Sequence, residues 1–158
     1  MGIKSKILGI LHNSPLEVSI NMKLRYMPVV SKLRKIRNQN KNLKILEVGS
    51  GSKGITRFFR HPVTGMDVEF QKHKNRYLKE VISSATKKFP FRDNEFNVVV
   101  SVDSIEHIPR DKRENALKEM LRVSNKHIII TCPVCMNKWD KKVLNKWPKN
   151  SATYKNIK

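Results

Sequence analysis

Leu43-Lys-Ile-Leu-Glu-Val-Gly-Ser-Gly-Ser-Lys-Gly-Ile-Thr56 is the stretch that decides how this chain folds. Ile45, Leu46 and Val48 make a short buried-strand pattern that runs straight into a glycine turn, and a helix is expected to follow. Glycines let the backbone turn sharply and approach a ligand closely, and the first N–H groups of a new helix are free donors. Glu47, two positions before Gly49, gives the junction its direction. A carboxylate repels a pyrophosphate and suits an ammonium or hydroxyl group, so the ligand expected here has a cationic or polar end.

Outward from this turn the chain alternates between strands and helices. Residues 1–42 read as a basic helical segment interrupted at Pro15 and Pro28, with Met27, Val30, Leu33 and Ile36 recurring every three residues on one face. After the turn, Ile55, Phe58 and Phe59 make a short apolar face that His61-Pro62 stops. Val63–Val68 is a second strand ending at Asp67, and Val81-Ile82 is a minimal third. An aromatic-flanked turn, Phe89 to Phe96, feeds a strand over Phe96–Val102, whose triple valine indicates burial on both faces. Pro109–Val123 is helical, with Ala116, Leu117, Met120 and Leu121 inward, and His127–Thr131 is a fifth strand. Short buried strands alternating with helices predict an α/β, Rossmann-like doubly wound sheet, mostly parallel, in the order 3-2-1-4-5. Ligands bind such sheets beyond the carboxyl ends of the strands. The glycine turn, Asp67 and Asp103 all fall there.

The chain carries 33 Lys and Arg against 13 Asp and Glu, a formal charge of +20. Residues 1–46 hold ten of the cations and a single acid, Glu17. Such a field attracts anions, RNA or anionic lipid, or is simply a solvated lysine-rich surface. No apolar run approaches the ~20 residues that span a bilayer. Cys132 and Cys135 form a single pair, which lacks the further ligands zinc needs, so no metal is expected and the thiols read as reduced. A cytoplasmic setting follows from that reading. Residues 134–158 form a basic tail with Trp139, Val143, Leu144 and Trp147 at helical spacing. Such a tail more often packs on its own domain than lies on a membrane surface.

Gly49-Ser-Gly51-Ser-Lys-Gly54 matches G-x-G-x-x-G, which alone is a weak sign of dinucleotide binding. Glu47 counts against a pyrophosphate there. A phosphate-binding P-loop fails because Ile55 stands where its lysine belongs. Three blocks in order carry a stronger likeness: Ile45–Gly54, then Gly65-Met-Asp67-Val68, then Phe89-Pro-Phe-Arg-Asp-Asn-Glu-Phe through Ser104-Ile-Glu-His-Ile-Pro109. Over residues 43–133 the chain resembles the class I S-adenosylmethionine-dependent methyltransferases, in particular the type 11 group. The resemblance implies S-adenosylmethionine as cofactor, with Glu47, Gly49, Ser50 and Gly51 at its methionine end. It implies that Asp67, with Val68 beside it, takes the ribose hydroxyls and that Asp103 borders the methyl-transfer site. Ser84-Ala85 stands where the family carries an acid-Ala pair at the adenine amino group, and Lys53 stands where its third glycine usually falls. Of the residues near the site, His107 is the best-placed general base, since neutral imidazole titrates near physiological pH.

The family sheet has seven strands, and only 27 residues follow Thr131 in this chain. The expectation is therefore a truncated or five-stranded form whose fifth strand is an open edge, available to a second copy or a partner chain. Methyl transfer to a small-molecule or lipid-like acceptor is the activity the resemblance implies. A methyltransferase-fold binding protein acting with a partner chain or RNA is the alternative.

Overall fold

A computed structural model describes residues 15–72 and 75–132, without the side chains of 15–19 and 21. The tail expected over 134–158, its tryptophans, Cys135 and the first fourteen residues lie outside the described residues. Five strands form one parallel sheet: β1 (Ile45–Val48), β2 (Val63–Asp67), β3 (Leu78–Ile82), β4 (Phe96–Val102) and β5 (Ser124–Thr131), in the order β3-β2-β1-β4-β5. Helix α1 (Pro15–Gln39) covers one face of the sheet and α2 (Arg110–Val123) covers the other.

The period of two along the central strands divides the core between these layers. Ile45 in β1 and Val98, Val100 and Val102 in β4 meet Tyr26, Val29, Val30, Leu33 and Ile36 of α1. Leu46, Val48 and Val99 point the other way, onto Leu117, Met120 and Val123 of α2. The described part of the basic N-terminal segment is therefore one layer of the same folded unit. Its helix runs unbroken through Pro28, against the interruption expected there, and Pro15 is its first residue, a position that suits proline. Residue 28 is exposed, so the carbonyl of Leu24, which loses its helical partner, faces water rather than the core.

The helix expected after the glycine turn is only a single 3₁₀ turn, Gly54–Arg57. The backbone N–H groups of Phe58 and Phe59 both return to the Ile55 carbonyl, and His61-Pro62 leaves no room for further turns. β3 starts at Leu78, three residues earlier than expected, and β5 starts directly after α2 at Ser124. Asn97, at the start of β4, is structural: its side chain accepts from the Lys44 N–H (2.9 Å) beside a register shift in the β4–β5 pairing. Among the described residues β5 pairs only with β4, and no helix is long and apolar enough to cross a membrane.

Arg122 fastens the aromatic turn to α2. Its guanidinium donates to Glu119 (2.7 and 2.9 Å), to Asp93 (2.6 Å) and to the carbonyls of Phe91 (2.9 Å) and Phe89 (3.1 Å). Glu119 in turn accepts from the Phe89 N–H (2.7 Å). Arg122→Ala leaves one half-buried carboxylate and two carbonyls without this donor, so a loss of about 2–3 kcal/mol is expected in urea unfolding. Arg122→Lys should recover only a fraction, because an ammonium cannot reproduce the planar fork.

Candidate functional site

The carboxyl ends of β1, β2 and β4 surround a cavity of about 370 Å³. Its lining includes Gly49, Met66, Asp67, Val68, Ser83, Ser84, Ala85, Thr86, Asp103, Ser104, His107, Ile108 and Pro109. Gly49 has φ of +75°, and its N–H donates to the Met66 carbonyl (2.8 Å), which turns the chain off β1. A Cβ at this position would land on the Ser104 hydroxyl and 2.5 Å from Ser104 Cβ. The floor of the cavity therefore exists only because residue 49 has no side chain.

Asp67 ties the glycine loop to β2. Its Oδ2 accepts from the Gly51 N–H and its Oδ1 from the Val68 N–H, both at 2.7 Å. Each oxygen keeps a second lone pair, which is the acceptor capacity that two adjacent hydroxyls need. Asp103 sits at φ of +45°, rare for a residue with a side chain, and its N–H donates to the Thr131 carbonyl (2.9 Å). Its carboxylate pairs with Arg25 of α1 at 2.9 Å. That contact brings α1 to the mouth of the cavity, and nothing local in the sequence around residue 25 signals it. Met66, Ser83, Thr86, Ser104, Ile108 and Pro109 were likewise missed. Period-two spacing in β2 and proximity to Asp103 were the available signals.

Of the residues expected at the cofactor, Gly49, Asp67, Val68, Ser84, Ala85, Asp103 and His107 line the cavity. Glu47, Ser50 and Gly51 do not. Ser50 is buried with its hydroxyl on the Gly51 carbonyl (3.0 Å), and Gly51 contributes its N–H to Asp67. Glu47 is fully buried on the α1 side of the sheet. Its Oε2 accepts from the Ile55 N–H (2.8 Å), and its carboxyl group lies against Gly54, where a Cβ would sit 2.9 Å from Cδ. Sequence reading expects Glu47 beside the cofactor, and the structure places it beneath the loop, outside the cavity lining. Burial raises its pKa from the ordinary 4.5 to about 8, with Asp67 adding to the rise and the Ile55 N–H opposing it. At neutral pH Glu47 is mostly the uncharged acid, and the negative charge at the cavity belongs to Asp67 and Asp103.

This chemistry fits the expected cofactor. Two carboxylates and no Lys or Arg line the cavity, an arrangement for a cationic, hydroxyl-bearing ligand and against a polyphosphate. Met66, Val68, Ala85 and Ile108 supply apolar surface for a flat ring. Ser84 is held by Thr86, hydroxyl to hydroxyl at 2.8 Å, and keeps lone-pair capacity for an amino group. His107 is exposed at the rim in a short 3₁₀ turn, Ile105–His107. Among the described residues no cluster of metal-ligating side chains occurs.

Fold and cavity together define a Rossmann-like domain with a cavity at the carboxyl edge of a parallel sheet. Residues 46–130, more than half of the chain, match the type 11 family model described as a methyltransferase domain, and the chain belongs to that family. No curated protein sequence matches it. Among solved structures, one similar fold is an S-adenosylmethionine-bound amino pentose methyltransferase of calicheamicin biosynthesis from Micromonospora echinaspora. It has 12% identity and a TM-score of 0.55, with 76% of this chain and 56% of that one covered. Another is a methyltransferase assigned to an antibiotic biosynthesis pathway from Anabaena variabilis, with 18% identity, a TM-score of 0.52 and coverage of 64% and 43%. This chain spans about half the length of these relatives, and at such identities the likeness is one of fold.

Proposed function

We propose that this chain is the cofactor-binding part of an S-adenosylmethionine-dependent methyltransferase whose acceptor is a small or lipid-like molecule. The observation that carries the reading is the cavity itself: Asp67 and Asp103 beside a side-chain-free Gly49, with no cation in the lining. Asp67 would hold the ribose hydroxyls, Gly49 the methionine end, and Ser84 with Ala85 the adenine edge. When bound, the cofactor supplies a sulfonium methyl that is already electrophilic. The protein's own task is then mostly orientation and exclusion of water. Asp103, fixed by Arg25 and by its strained backbone, is a positioning carboxylate at the acceptor side. His107 at the rim is the candidate to take a proton from an acceptor that must lose one. The open edge of β5 keeps a partner strand as part of the proposal.

Calorimetry with S-adenosylhomocysteine tests the reading. The wild-type chain should release heat on binding. Asp67→Ala should bind about ten- to a hundredfold more weakly, the ~1.5–3 kcal/mol of hydrogen bonds to a charged group. No heat from the wild-type chain, or equal heat from both proteins, would remove the cofactor assignment.

A further inference from the structure

Helix α1 does more than cover the sheet. Its inward residues Tyr26, Val29, Val30, Leu33 and Ile36 are buried, yet Ile20, Leu24 and Met27 are 48%, 68% and 40% exposed. At ~100° per residue these three fall within an arc of about 60° on the side opposite the buried stripe. Exposed cations border that arc on both sides, Lys23 and Arg34 on one and Lys32 and Lys35 on the other. Within the described part of the chain nothing covers it. The strip also has a definite place: Arg25, next to Leu24, is paired with Asp103, so the apolar arc and the cavity mouth share one end of the molecule.

We infer that the outer face of α1 from Ile20 to Lys35 is an interfacial surface that docks this end of the protein on an anionic lipid surface. Apolar side chains flanked by lysine and arginine are what such a surface takes: the apolar residues enter the acyl boundary and the cations meet the headgroups. Each cation near an anionic bilayer adds ~1 kcal/mol. Charge complementarity selects this occupant. A second copy of a chain with a formal charge of +20 would be repelled, and residues 134–158, with seven lysines against one aspartate, would bring cations against cations. Nucleic acid would use the cations but has no use for the leucine between them. Docking would bring the cavity mouth beside the lipid surface, so the acceptor class becomes a lipid or a lipid-soluble molecule. That last step rests on the methyltransferase reading, and the docking surface does not.

The test is co-sedimentation of the full chain with vesicles of phosphatidylglycerol and phosphatidylcholine in equal parts, and with phosphatidylcholine alone, at low and high salt. Binding should require the anionic lipid, weaken with salt, and fall more than tenfold in Leu24→Asp. Lys23→Gln/Lys32→Gln should bind more weakly and with a shallower salt dependence. Leu24 is largely exposed, so Leu24→Asp should keep the wild-type melting temperature and the wild-type heat with S-adenosylhomocysteine. Failure of the wild-type chain to sediment, or equal sedimentation of Leu24→Asp, overturns the surface. So does a lowered melting temperature in that variant, which would mean the strip is covered within the chain. Retention on RNA that exceeds vesicle binding and ignores Leu24→Asp overturns it in favour of nucleic acid. Vesicle binding without any S-adenosylhomocysteine heat leaves the surface standing and removes only the acceptor class.

Discussion

Gly49→Ala should abolish S-adenosylhomocysteine binding and cost the fold about 2–4 kcal/mol, the sum of two independent penalties. The first is conformational: at φ of +75° an alanine meets the left-handed strain that glycine escapes, ~1–2 kcal/mol. The second is steric. The new methyl would occupy the position of the Ser104 hydroxyl, with Ser104 Cβ only 2.5 Å away, so rotation of the serine does not relieve the overlap and the segment must move. That segment carries Asp103 and His107, and the loop carries Gly51, whose N–H holds Asp67. One methyl group therefore displaces both carboxylates of the cavity. The two penalties separate in a double variant. Gly49→Ala/Ser104→Gly removes the overlap and keeps the strained φ, so it should regain most of the lost binding and about half of the lost stability. A double variant no better than the single one would show that the overlap is not the cause.

The sequence made the sheet legible because its central strands are apolar on both faces. Val98-Val99-Val100 can hardly be anything but a buried strand, and the observed β4 has the expected bounds, Phe96–Val102. α2 was legible from its Ala116–Leu117–Met120 stripe for the same reason. β3 was less so, since it is an edge strand whose Lys79, Glu80 and Ile82 face water, and period two is faint when little is buried. The start of β5 was hidden by the polar run Ser124-Asn-Lys126, which pairs with β4 through a register shift. At the site, Asp67 and Asp103 are legible as strand-end acids, and both line the cavity. Contacts between distant segments were invisible, and Arg25 on Asp103 is the clearest of them. Glu47 is a different case. Its position in the chain suggested the ligand, but in a strand it shares the face of Ile45, and that face is the one α1 covers. The strand period carried that information all along.

Glu47 also sets the second large effect, a pH dependence with a definite sign. Its pKa is about 8 in the folded chain and near 4.5 unfolded, because burial disfavours the carboxylate and Asp67 adds to that. Between these values the unfolded chain has released the proton and the folded chain still holds it. Stability from this group is therefore fully present below about pH 4.5, falls as pH rises, and is gone once pH passes about 8. Over that window the loss is on the order of a few kcal/mol, since each unit of pKa difference is about 1.4 kcal/mol. Glu47→Gln removes the titration. Its carbonyl oxygen can still accept from Ile55, but its amide N–H₂ takes the place of Oε1, which has no partner in the folded chain. At pH 5 the protonated Oε1 of wild type lacks a partner just as the amide does, so the two proteins should lie within ~1 kcal/mol of each other, and the variant should be the more stable one by pH 8. Urea unfolding of both proteins from pH 5 to 9 reads the divergence directly, and parallel curves would mean that Glu47 is ionised in the folded chain. Cofactor affinity discriminates further. Because Glu47 stands beneath the loop and is neutral at pH 7, Glu47→Gln should bind S-adenosylhomocysteine within a few-fold of wild type while Asp67→Ala does not. A Glu47→Gln variant as defective as Asp67→Ala would return the acid to the ligand, as the sequence alone had placed it.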